Sequence, residues 1–338
     1  MPTAVATVYE ESSQHKRWTF QRDDLVTKRQ SLNEATVSLV KENIQEDLEI
    51  SGNAPAKDPE FPNTEEELLI VNYYAAKVYD TGAVFTLPSH LKATAAAYLK
   101  RFYLVKSPLQ YHPKSIMITS LFLATKTCEH HVDLDTFVAK FPKQTKESVL
   151  EHEFMISSTI GFDFVHWSAY RPLYGFVLDI ESTVDSEDGH QKSGKARVAR
   201  SSRMHDTAKS LINATIWSDL PFLYSPSDLA LAALHKADAD FLAQYLNIKG
   251  LSKLLPFLDT IGTELIEVSK TRFDGPEVMA KVKAADRKLY YSSDPALKPG
   301  SALYKKRAED RAEENTTKRL KKSEASRENL GTFGDILS

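Results

Sequence analysis

The sequence predicts an all-α fold made of two similar helical domains, and three observations carry that reading. Glycine is scarce, 12 of 338 residues, and apolar residues recur at helical spacing over long stretches. Two segments, 116–124 and 229–234, are apolar on every side of a helix, and such a helix belongs at the centre of a core. Each follows a tyrosine and opens on a proline, as Tyr111-His-Pro113 and Tyr224-Ser-Pro226, with an offset of 113 residues in both cases. A repeated pattern of this kind points to two units, each built around a buried helix.

The elements follow in order. Residues 23–48 read as one surface helix, with apolar Leu25, Leu32, Leu39 and Ile44 and two aspartates favourable to the dipole of its first turn. The Gly- and Pro-bearing stretch 51–62 is a linker, and residues 1–52 form an N-terminal arm. Thr64 and Glu67 match a capping box for a helix running to about Asp80. After Pro88 another helix carries Leu91, Ala95, Tyr98, Leu99 and Phe102 on one face. The buried helix from Pro113 and an amphipathic one over 146–160 complete the first domain, 53–162. Residues 163–172 join the halves. In the second domain, 163–273, the polar stretch 183–197 is expected as a solvated loop, Ser225 and Asp228 cap the second buried helix, and 251–273 is amphipathic. Residues 274–338 supply a helix over 276–290. A Lys/Arg/Glu tail beyond Ser292 is expected to be flexible or marginally helical.

Composition excludes several classes. The net charge is −3, a poor match for an electrostatic nucleic-acid binder. Cys128 is the lone cysteine, so no intrachain disulfide forms and a reducing compartment is expected. Apolar runs reach about half the ~20 residues of a membrane span, and the N-terminus does not read as a secretory signal. Phosphate loops, dinucleotide fingerprints, HExxH and GxSxG are all missing, so no catalytic residue or cofactor is assigned. Cys128, His130, His131 and Asp133 are zinc-type ligands crowded into six residues without paired spacing, and metal binding is not expected of them. The basic runs 305–307 and 318–322 suit a nuclear import signal as well as a solvated face. On a helical wheel Lys100 lies about 160° from its helix's apolar face, so it is expected to point outward. Glu129 sits beyond the end of the first buried helix, where the dipole disfavours an anion. By pattern alone both are surface charges.

Three segments change their weight. Leu99-Lys-Arg-Phe-Tyr103, Tyr111-His-Pro113 and Phe122-Leu-Ala-Thr-Lys-Thr-Cys-Glu129 resemble the cyclin box in order and spacing. The stretch from Ser12 through Trp18-Thr-Phe20, with Tyr170-Arg-Pro-Leu-Tyr-Gly-Phe176 and Leu223-Tyr-Ser-Pro-Ser-Asp-Leu-Ala-Leu231, resembles one kinase-activating branch of the cyclins. The resemblance implies two tandem five-helix repeats flanked by N- and C-terminal helices, and a nuclear regulatory subunit with no catalysis of its own. Its implied partners are a cyclin-dependent kinase catalytic subunit, a RING-finger assembly subunit, and general transcription and repair factor H, with no direct nucleic-acid or membrane contact. It implies kinase binding through Lys100 and Glu129, and N-terminal docking through Trp18 and Phe20. Three rivals share parts of the pattern: another transcriptional cyclin, a DNA-binding factor with tandem cyclin folds, and a helical zinc enzyme.

Overall fold

The computed structural model describes residues 7–52, 59–142, 144–187 and 194–336. Its α-helices are α1 (Val8–Glu11), α2 (Ser13–Trp18), α3 (Arg22–Ser51), α4 (Thr64–Val84), α5 (Ser89–Phe102), α6 (Pro113–Thr127), α7 (Leu134–Val138) and α8 (Lys146–Thr159). They continue as α9 (Tyr170–Glu187), α10 (Gly194–Asn213), α11 (Leu220–Leu223), α12 (Pro226–Ala237), α13 (Ala239–Ile248), α14 (Leu255–Ser269), α15 (Pro276–Tyr291) and α16 (Ala302–Ile336). No strand occurs among the described residues.

Two five-helix units follow from this order. In the first, α4, α5 and α8 surround α6, whose residues 116–125 are buried on every side. In the second, α9, α10, α13 and α14 surround α12, buried from Leu229 to Leu234. Both central helices begin at proline, whose missing N–H costs nothing there. Ser225 caps α12 by accepting the Asp228 N–H at 3.1 Å.

Several expectations need correction. The capping box lies one residue earlier than read, at Asn63 and Glu66. Along α3 the stripe is Leu25, Asn33, Thr36, Val40 and Asn43, and Leu39 faces solvent. Three of those five are polar, and two of them dock α3 through hydrogen bonds: Asn33 to the Pro62 carbonyl at 3.2 Å and Asn43 to Asp294 at 2.9 Å. The expected loop 183–197 is helical at both ends, as the last turn of α9 and the first of α10, and 188–193 lies outside the described residues. The tail, expected to be flexible or marginally helical, is the helix α16. Leu303 anchors it, fully buried, with its N–H on Asp47 at 2.8 Å, and Arg307 bonds Asn43 and Glu46.

Candidate functional site

Lys100 does not point to solvent. Only 5% of its side chain is exposed, because α5 is enclosed on both sides. Its apolar face meets α6, while the opposite face is covered by the 3-10 turn Ala214–Trp217 and by Phe222 of the second unit. The wheel took the apolar residues of one helix as its only interior, and the second unit supplies another. The Lys100 ammonium donates to the Ser218 carbonyl and lies 3.4 Å from Asp219. Arg29 of α3 grips the same carboxylate with two bonds of 2.6 and 2.7 Å. Thus one carboxylate serves two cations from two other elements. Burial alone would raise the Asp219 carboxyl, but Lys100 and Arg29 hold it well below the usual carboxylate range. Burial, with Arg29 nearby, depresses the more loosely paired Lys100 from 10.5 to about 8.

The N-terminal arm closes the same joint. Trp18 is 5% exposed and its indole N–H donates to Asp163 at 2.9 Å, a carboxylate also held by Arg17 at 2.7 Å. The Phe20 ring meets Phe222 edge-on at 6.1 Å, and its N–H bonds the Phe222 carbonyl at 2.8 Å. Gln14 is bonded to both backbone groups of Trp167, at 3.1 and 2.7 Å. Arg101, 1% exposed, donates to the Asp163 carbonyl at 2.8 Å and packs over Trp18. Sequence reasoning named Trp18 and Phe20 but not Gln14, Arg101 or Asp219, whose roles depend on partners more than 60 residues away.

Glu129 is exposed, as expected, and adopts φ +55, the left-handed position after α6 that glycine usually takes. The His130 N–H reaches back to the Thr125 carbonyl at 2.8 Å, completing the helix stop. No contact joins Glu129 to Lys100. What stands beside this helix end is another pair that the sequence reading passed over. Lys126 donates to both oxygens of Glu153 on α8, at 2.8 and 2.9 Å. On α8, Leu150 (47% exposed) and Phe154 (71%) flank Glu153, and past the helix end Phe162 (59%) and Val165 (62%) are uncovered too. Leu150 and Phe154 thus lie on the same helix as the carboxylate of that ion pair, and Phe162 and Val165 add exposed apolar surface in the segment that follows. The signal was available: Leu150 and Phe154 are spaced i, i+4 on a helix whose core positions are Val149 and Ile156.

The zinc-type residues are spent locally or open to solvent. Asp133 caps α7 through the Thr136 N–H at 3.0 Å, while His130 and His131 are exposed and Cys128 is half-buried at the end of α6. No helix among the described residues is long and apolar enough to cross a membrane.

Two family descriptions match the two units: "Cyclin, N-terminal domain" over residues 74–165 and "Cyclin C-terminal domain" over 168–260. The chain is similar to Cyclin mcs2 of Schizosaccharomyces pombe, 34% identical over 94% of this chain and 95% of that one. It is similar to Cyclin-H of Xenopus laevis, 28% identical over 82% and 85%. Among solved structures it resembles a chain of the yeast TFIIK (Kin28/Ccl1/Tfb3) complex, with a TM-score of 0.59, 30% identity, and coverage of 78% of this chain and all of that one.

Proposed function

The chain belongs to the cyclin family, as a regulatory subunit of the cyclin H kind, and from that premise we propose where and how it engages its kinase. The kinase docks on the face formed by Leu150, Phe154, Phe162 and Val165 around the Lys126–Glu153 pair. The observation that carries this reading is the exposure of Leu150 and Phe154, one helical turn apart on α8 beside Glu153, since uncovered large apolar side chains grouped together mark an interaction site. A fixed ion pair beside them gives one lysine donor and one carboxylate acceptor for a partner's backbone, and desolvation on docking strengthens both. Glu129, held in a left-handed turn nearby, adds a second acceptor. Lys100 contributes through the joint that sets the two units against each other. A kinase of this class becomes active when one of its helices moves inward and pairs its glutamate with the ATP-holding lysine. A rigid preformed face stabilises that arrangement by binding it better than the alternative.

A RING-finger assembly chain completes the complex in this reading, supported by the three-chain yeast assembly that one relative's structure names. A nuclear setting within general transcription and repair factor H follows, with the polymerase C-terminal repeats and the activation loops of cell-cycle kinases as substrates. The test is binding and activation of a Kin28-type kinase by Leu150→Ser/Phe154→Ser and by Lys126→Ala/Glu153→Ala. Each hot-spot truncation is expected to cost about 2–4 kcal/mol of binding with a melting curve shifted little. Undiminished activation by both double variants would refute the docking face.

A further inference from the structure

The linker between the two units borders a cleft of about 840 Å³, whose walls include Tyr9, His90, Trp167, Arg171 and Pro226. Three helices begin at this cleft: His90 is the second residue of α5, Arg171 the second of α9, and Pro226 the first of α12. Helix starts carry unspent N–H groups and the positive end of the dipole, and α5 has no side chain capping it. The side chains there include one fixed cation, Arg171. Neither the Arg171 guanidinium nor the His90 ring makes a hydrogen bond or ion pair to the described residues, and both are exposed.

Three further polar atoms in the cleft wall are closed off from solvent without a partner: Nε1 of Trp167, Nδ1 of His166 and the hydroxyl of Tyr9. An indole N–H can only donate, so Trp167 is left with an unmet donor in the wall of the cleft. The nearest acidic group along these helix starts is Asp228, which is engaged by the Ser225 hydroxyl at 2.7 Å. The cleft therefore offers a fixed cation and an unpaired indole donor, and no carboxylate of the described residues lines it.

Size and lining decide between anions. The volume exceeds what a lone phosphate fills and falls in the range of sites for drug-sized ligands. Tyr9 and Trp167 stand edge to face at 6.2 Å, with prolines 172 and 226 opposite, a surface suited to an extended peptide. A single arginine is too little for a nucleic-acid backbone on a chain of net charge −3.

We propose that this cleft binds an extended segment of a partner protein carrying a phosphoserine or phosphothreonine, with the phosphate on Arg171 and the helix starts and the flanking residues on Tyr9 and Trp167. The cleft wall includes Val165 of the proposed kinase face, so the two sites meet there, while Leu150, Phe154 and the Lys126–Glu153 pair are not part of its lining.

The probe is a degenerate peptide library centred on phosphoserine or phosphothreonine, with its unphosphorylated counterpart and inorganic phosphate alongside, offered to the full chain. Selective retention of the phosphorylated library is expected, followed by selected single peptides for titration. Arg171→Ala should weaken those peptides about 10- to 100-fold, with part of the affinity restored in Arg171→Lys. Trp167→Phe keeps the ring, removes the donor, and should weaken them about 2- to 10-fold. The indole N–H resonance of Trp167 should shift on binding. Equal retention of both libraries, inorganic phosphate as tight as any peptide, displacement by a single-stranded oligonucleotide, or an Arg171→Ala variant of unchanged affinity would each overturn the proposal.

Discussion

Replacing Lys100 tests the joint between the units, and the size of the effect can be worked from its geometry. Lys100→Ala removes a charge-assisted bond to the Ser218 carbonyl, about 1.5–3 kcal/mol, and a packed aliphatic stem, about 1–2 kcal/mol. Against this stands relief from burying a cation whose pKa has fallen to about 8, on the order of 3 kcal/mol. The net expectation runs from no change to a loss of about 2 kcal/mol. Lys100→Met keeps the stem and removes the charge, so it should be neutral within about 1 kcal/mol. Asp219→Ala is different in kind, because it strands Lys100 and Arg29 together and should cost about 3–5 kcal/mol. Urea unfolding at constant slope measures all three. The pH dependence has a definite sign: between about 8 and 10.5 the unfolded chain holds the Lys100 proton and the folded chain has released it. Wild-type stability should therefore rise with pH across that window relative to Lys100→Met. If Lys100→Met destabilises as much as Asp219→Ala, or if the two variants show the same pH slope, the ammonium is not the marginal cation of this joint.

Two further outcomes follow from single positions. Glu129→Gly relieves a left-handed backbone and should raise stability by about 0.5–1 kcal/mol, read from the thermal midpoint. Its kinase activation, measured beside Glu129→Gln, separates backbone shape from carboxylate chemistry. Leu303→Ala empties a fully buried anchor and should cost about 2–5 kcal/mol locally. Amide exchange should then quicken along α16 while α6 stays protected; uniform acceleration would show that α16 belongs to the global core.

Helix existence was legible wherever one face or every face was apolar, as in α5, α6 and α12. Burial that depends on polar partners was not. Asn33, Thr36 and Asn43 look like a solvent face in sequence, yet all three lie inside: Asn33 and Asn43 are received by the Pro62 carbonyl and Asp294, and Thr36 satisfies its hydroxyl on its own helix at the Leu32 carbonyl. Lys100 failed for the same reason, since a wheel measures one helix against itself. The cyclin likeness reached the family and the general role, while the docking surface required exposures: Leu150 and Val149 are adjacent and equally apolar, and only the fold says that one is uncovered. Trp18 and Phe20 were picked from their motif, and their partners Asp163 and Phe222 emerged only from the packed chain.

The arm's staples also impose an order in time. Gln14 bonds a residue 153 positions later, Arg22 pairs with Glu264 across 242 positions, and Leu303 reaches back 256 to Asp47. Closing such long loops is favourable only after the bodies they bridge exist, so these contacts form late. A segment made long before its partners is thus among the last to find its place. Until residue 264 has been made, α2 and the start of α3 have no complete surface to settle on, and the seam between the units stays open. During synthesis the hydrophobic faces of Trp18 and Phe20 stand unclaimed. That interval, rather than the finished fold, is where this chain is most exposed to aggregation and most open to capture by a chaperone.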